Sequence, residues 1–209
     1  VGRITHGCAG LYSDENEIAM ARVVSFCKSV GQSKMGVQLA HAGRKASTKR
    51  PWDGGDALSD GAWQTYAPSP LAFDKGWHTP KELDKAGLAR IKDAFVQAAK
   101  RALRIDMDVI ELHAAHGYLL HQFLSPLSNH RSDLYGGSLE NRMRYPLEIF
   151  DAIRSIWPEN RPLLVRVSAS DWVVGGWDVQ QTSQFAEKLQ DHGCSAIHVS
   201  SGGNSPLQQ

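Results

Sequence analysis

The sequence predicts an α/β protein built on a parallel sheet, and three observations carry that prediction. Apolar runs of strand length alternate with longer stretches of helical period along the chain, which implies right-handed crossovers between parallel strands. Polar residues gather where the strands should end: Gln38 and His41, His113 and His116, Arg166 and Ser168, Ser200 and Ser201. In a parallel α/β barrel that edge carries the active site. No G-x-G-x-x-G and no Walker A glycine loop follows any strand, so a barrel face is favoured over a dinucleotide-binding crevice.

The elements follow in order. Ser13 and Asp14 precede a helix over 15–30, with Ile18, Ala21, Val24 and Cys27 on one face and Gly31 at its end. Residues 34–40 make a short strand, whose Gly36 marks a close backbone approach. From 41 to 77 the periodicity dissolves into Gly, Pro, Asp and Ser with Trp52, Trp63 and Trp77. A stretch of this length is read as a functional excursion packed by its indoles rather than as a linker. Thr79-Pro80-Lys81-Glu82 has the composition of a helix start, and Gly87 is expected to divide a leading turn from the main helix. Ile91, Ala94, Phe95, Ala98 and Ala102 form that helix's stripe. A second strand covers 108–113. Ser138 opens a helix with Ile149, Ile153 and Ile156 on one face, ending at Pro158, which Pro146 should kink or restart. A third strand covers 162–167, Asp178 caps a helix running to Gly193, and a fourth strand covers 196–199.

Composition excludes several classes of function. With 23 Lys+Arg against 22 Asp+Glu the formal charge is +1, which gives no field for holding nucleic acid or an anionic membrane. No apolar run approaches the roughly 20 residues of a membrane helix, and the N-terminal residues lack a signal-peptide layout. Cys8, Cys27 and Cys194 are odd in number and widely spaced, which fits reduced thiols in a cytoplasmic protein.

The densest chemistry is His113-Ala114-Ala115-His116-Gly117-Tyr118-Leu119-Leu120-His121-Gln122. Directly after a strand, one loop can aim two imidazoles and a phenol into one pocket, and Gly117 lets a ligand approach the backbone. Three readings stand here. Some of these histidines bond backbone carbonyls, the favoured reading for His121. A metal site would need a third ligand, and H-x-x-H is not the i, i+4 pair of zinc proteases. Alternatively, a pair of neutral donors binds a carbonyl or anionic oxygen beside a cofactor.

The run from His113 through Asn129 resembles the signature loop of the Old Yellow Enzyme family of flavin-dependent ene-reductases. The match continues through Arg131-Ser132-Asp133-Leu134-Tyr135-Gly136-Gly137 to Asn141-Arg142. It also includes Val37-Gln38-Leu39-Ala40-His41-Ala42-Gly43-Arg44 and Leu164-Val165-Arg166-Val167-Ser168. The second histidine, where many members carry Asn, looks like the bacterial xenobiotic-reductase branch. The resemblance implies an FMN-binding (β/α)8 barrel that takes hydride from NADPH or NADH and delivers it to an α,β-unsaturated carbonyl compound. His113 and His116 match the pair that binds the substrate carbonyl, with Ala114 and Ala115 between them. Tyr118 matches the proton donor. Gln38 matches the group on the flavin pyrimidine edge, and Arg166 the cation beside N1 and O2. No metal is implied. The partner is a small-molecule enone, and the whole protein could form a homo-oligomer.

Residues 129–144 are read as a structural ion-pair network, and Arg44, Lys45, Lys49 and Arg50 as a solvated basic stretch rather than a seat for nicotinamide dinucleotide phosphates. The family's usual glycine before the His loop is replaced by Asp106, which predicts a mildly strained turn. The resemblance further implies a first strand before Val1 and two strands after Gln209. On that reading residues 1–209 are a partial barrel domain, four to five of eight βα units, with an excursion at 41–78. Alternatives are a larger iron–sulfur relative of the dienoyl-CoA reductase or amine dehydrogenase type, a catalytically silent barrel chain without flavin and, more distantly, a metal-dependent hydrolase.

Overall fold

The computed structural model describes residues 2–209. In chain order the elements are α1 (Asp14–Val30), β1 (Gly36–Leu39), β2 (Tyr66–Ala67), β3 (Lys81–Glu82), α2 (Lys85–Arg104), β4 (Val109–Ala114), α3 (Leu119–Leu124), α4 (Leu139–Arg154), β5 (Leu163–Ser168), α5 (Val179–Asp191) and β6 (Ala196–Ser200). The main sheet has the order β1-β4-β5-β6 and every pairing is parallel. Strand order therefore never reverses, as in barrel winding; a doubly wound sheet would show a switch point.

Alternation along the strands divides the sheet into two faces. Ile110, Leu112, Ala114, Leu163, Val165 and Val167 are all at most 1% exposed. They pack under Ile91, Phe95 and Ala99 of α2, Ile149, Phe150 and Ile153 of α4, and Phe185 and Leu189 of α5. Near-continuous burial on the helix side is what a parallel sheet requires.

Three expectations need correction. Helix α2 starts five residues later than the Thr79 signature suggested. Asp84 is its cap, accepting from Gly87 N at 2.7 Å, which puts Gly87 inside the first turn. The segment before it pairs instead: Lys81 N and Leu83 N donate to Thr65 O and Ala67 O, tying β3 to β2. Helix α4 runs unbroken through Pro146 and ends at Arg154. Proline costs about 3 kcal/mol inside a helix, but the flanking residues are committed to the core. Tyr145 is fully buried, its ring 4.6 Å from Phe123 and its hydroxyl 2.9 Å from Leu88 O. Helix α1 departs from its expected stripe at Ile18, which is 66% exposed, while Val24 is buried and Ala21 packs against the core. Ion pairs also tie α1 down, Asp14 to Arg101, Glu17 to Arg104 and Lys28 to Asp106. Residues 41–78 are packed rather than loose, with Ala42, Ala46, Ser47 and Thr48 buried.

Asp106 does adopt the left-handed region, at φ 61°. Its carboxylate is paired with both Lys28 and Arg161. The ion-pair network expected in 129–144 is present, with Arg131 on Asp133 at 2.5 Å and Arg144 on Glu140 at 3.5 Å.

Candidate active site

The face opposite the helices is polar, and strand register assembles it. Gln38 lies beside Glu111, while His113, Arg166 and His198 form a row across three strands. Glu111 accepts from Gln38 Nε2 at 2.6 Å and its other oxygen lies 2.9 Å from His198 Nδ1. Burial raises the Glu111 carboxyl, but the hydrogen bonds from Gln38 and His198 outweigh it and hold the group below its ordinary value.

His113 is 4% exposed, and its Nδ1 has no hydrogen-bond partner among the described residues. Burial lowers its pKa to about 4, with the neighbouring His116 and Arg166 adding to the effect. His116 is lowered by the same causes, burial first and Arg166 second. Both imidazoles are therefore neutral at pH 7, each with one N–H to donate. Arg166 Nε is likewise buried without a partner among the described residues. Ala114 and Ala115 are 1% and 0% exposed and act as buried spacers between the two histidines.

The loop after β4 is bent by two consecutive left-handed residues, His116 at φ 57° and Gly117 at φ 71°. A non-glycine residue there costs roughly 1–2 kcal/mol, and four hydrogen bonds offset it. His116 N donates to Ser168 Oγ at 2.9 Å, and that hydroxyl donates on to Gly202 O at 2.9 Å. Lys45 Nζ donates to His116 O at 2.9 Å and to Gly203 O at 2.7 Å. A Cβ on Gly117 would stand 2.1 Å from Gly203 O, so the two loops touch backbone to backbone and position 117 admits only glycine. The His116 and Tyr118 rings thereby stand edge-on to His113, at 5.1 and 5.2 Å between centroids. Ser200 Oγ, 2.6 Å from His116 Nε2, orients the second imidazole. Burial raises the Tyr118 phenol, which keeps its proton at neutral pH. The excursion supplies a wall here: Phe73 lies 4.6 Å from Lys45 Nζ, and Tyr118 lies 5.3 Å from it.

Two sequence expectations change at this site. His121 does not bond a backbone carbonyl. Its Nδ1 accepts from Gly117 N at 2.9 Å and its Nε2 lies 2.9 Å from Asp171 Oδ1, both side chains fully buried. The imidazole thus braces the start of α3 beneath the loop. Arg44 and Lys45 are not solvated: Arg44 is 5% exposed and donates to Asn204 O at 2.7 Å. Desolvation lowers the Lys45 ammonium to about 8 and Arg44 to about 10. Lys49 and Arg50 are exposed as expected. The contacts of Lys45 left no trace in the sequence, because Gly203 is 158 residues away. Glu111 did leave one: a charge two residues before His113 in an apolar run must share its face.

Comparison with known proteins identifies the family of the chain. The model of the NADH:flavin oxidoreductase / NADH oxidase family covers residues 1–204. An NADH:flavin oxidoreductase of Gibberella zeae is 47% identical over 98% of this chain and 53% of its own length. An NADPH dehydrogenase of Bacillus subtilis is 46% identical over 96% of this chain and 55% of its own. The structure of morphinone reductase in complex with tetrahydroNAD superposes with a TM-score of 0.75 at 29% identity, covering 91% of this chain and 55% of that one. The chain spans about half the length of these relatives, and its parallel sheet corresponds to a portion of their barrel. With its sheet and its sequence in agreement, the chain belongs to the NADH:flavin oxidoreductase / NADH oxidase family, that of Old Yellow Enzyme.

Proposed function

We propose that this protein belongs to an FMN- and NAD(P)H-dependent oxidoreductase that reduces the C=C bond of α,β-unsaturated carbonyl compounds. The observation that carries the reading is the convergence of two neutral imidazoles and a protonated phenol beside Arg166. FMN fits the same face: Arg166 Nε is a buried donor without a partner among the described residues, suited to the acceptor atoms N1 and O2 of the ring. Gln38 would hold the pyrimidine edge. When bound, FMN would supply the hydride drawn from NADH or NADPH.

The chain's own residues do the rest. His113 and His116 donate their N–H groups to the substrate's carbonyl oxygen and stabilise the enolate charge that develops there. Neutrality matters, because a neutral imidazole donates without surrendering its proton. Tyr118 gives its phenolic proton to the α-carbon, completing the reduction of the double bond. An imidazole at position 116 supports placing the chain in the xenobiotic-reductase branch.

The test is direct. The purified protein reconstituted with FMN should show a flavin absorption band and enone-dependent NADPH oxidation; absence of both would sink the reading. Tyr118→Phe should slow enone reduction by about 10²–10⁴-fold while leaving the rate of flavin bleaching by NADPH close to the parent's.

A further inference from the structure

Glu111 stands in the middle of the polar face without a part in the chemistry above. A carboxylate can only accept hydrogen bonds, so the 2.6 Å contact with Gln38 fixes which end of that amide points inward: the NH2 group. The carbonyl oxygen of Gln38 is then free to accept from a ligand, and Gln38 is exposed on this face. The second Glu111 oxygen is engaged by His198 Nδ1 at 2.9 Å. Held at both oxygens, the carboxylate cannot turn away, and its side chain is 19% exposed. Those hydrogen bonds also keep it ionised, so the inward end of Gln38 stays a donor.

Gln38 and Arg166 therefore present opposite hydrogen-bonding characters on one face, an acceptor and a donor. A flavin's pyrimidine edge is complementary to such a pair, with one N–H at N3 flanked by carbonyl acceptors. Resting on the FMN reading above, we propose that Glu111 is a positioning residue that locks Gln38 as an acceptor for the N3–H of the cofactor ring.

A double-mutant cycle tests this, read as FMN affinity from flavin fluorescence quenching during titration into the flavin-free protein. The variants are Gln38→Ala, Glu111→Gln and the two combined. Glu111→Gln keeps the size of the side chain, but its carboxamide satisfies either end of Gln38, so the fixed orientation is lost. Alone it should weaken FMN binding about tenfold. In the Gln38→Ala background it should change affinity less than about twofold, because Glu111 acts through Gln38. Glu111→Asp keeps the charge but falls short of Gln38, and should weaken binding as Glu111→Gln does. Penalties that multiply in the double variant, or either single Glu111 variant binding FMN as tightly as the parent, would overturn the inference and leave the FMN reading standing. A parent protein that binds no FMN would remove both.

Discussion

On one face of β4 and β5 lie Ile110, Leu112, Val165 and Val167, each at most 1% exposed beneath the helices. On the other lie Glu111, His113 and Arg166, charged or polar, two of them with a buried nitrogen that has no partner among the described residues. Burying a side chain of the first kind stabilises the fold by about 1.5–3 kcal/mol. Leaving a polar group of the second kind unpaired costs about 1–3 kcal/mol. Neighbouring residues on one strand thus answer to different demands. The helix side holds the sheet together, and the open side carries groups that, on the proposed function, take their partners from a ligand.

The strongest way to break that contrast is to cut each face once, at adjacent positions. Leu112→Ala should cost about 2–5 kcal/mol of stability, seen as a lower urea midpoint with an unchanged slope. His113→Ala, one residue on, should leave the midpoint within about 1 kcal/mol of the parent and lower enone reduction by about 10²–10³-fold. Equal losses of stability would mean that the polar face also holds the fold.

Much of this division was legible in the sequence, and the reasons are local. Alternation along 108–113 and 162–167 sets Glu111, His113 and Arg166 apart from the apolar positions, a signal present in the sequence because side chains in a strand alternate strictly. The His113-Ala114-Ala115-His116 spacing after a strand placed both imidazoles at one edge. What escaped were contacts between distant segments. The seat of Lys45 depends on the turn after β6, and the Asp171 partner of His121 lies 50 residues along the chain. A basic stretch gives no local sign that Arg44 will be buried and Lys45 half-buried. The unbroken α4 escaped for a related reason: tertiary packing around Tyr145 overrides the propensity of Pro146.

A smaller effect sharpens the comparison through pH. Burial holds His41 at about 3 and His113 at about 4 in the folded chain, while both titrate near 6.5 when unfolded. Between those limits the unfolded chain binds more protons, so stability falls as pH drops from about 6.5 toward 4. His113→Gln removes one of the two groups and should flatten part of that decline, measured as urea midpoints at pH 7 and pH 5. An identical decline in parent and variant would show that His113 is not held neutral by the fold.

The smallest expected effect concerns how the apolar face is roofed. Helix α2 lays Ile91, Phe95 and Ala99 over the sheet, and two residues compete for the role of its cap. Asp84 accepts from Gly87 N at 2.7 Å, whereas Thr79, exposed and five residues earlier, precedes a segment whose amides donate to 65 and 67. Asp84→Ala should therefore cost about 1 kcal/mol, as the loss of an N-cap does, and Thr79→Ala should stay within about 0.5 kcal/mol of the parent. The reverse order would restore the Thr79-Pro80-Lys81-Glu82 start and dissolve the β2–β3 pairing. That pairing and the cap are alternatives for the same backbone, because residues held extended in β3 cannot also take the helical dihedrals of a first turn.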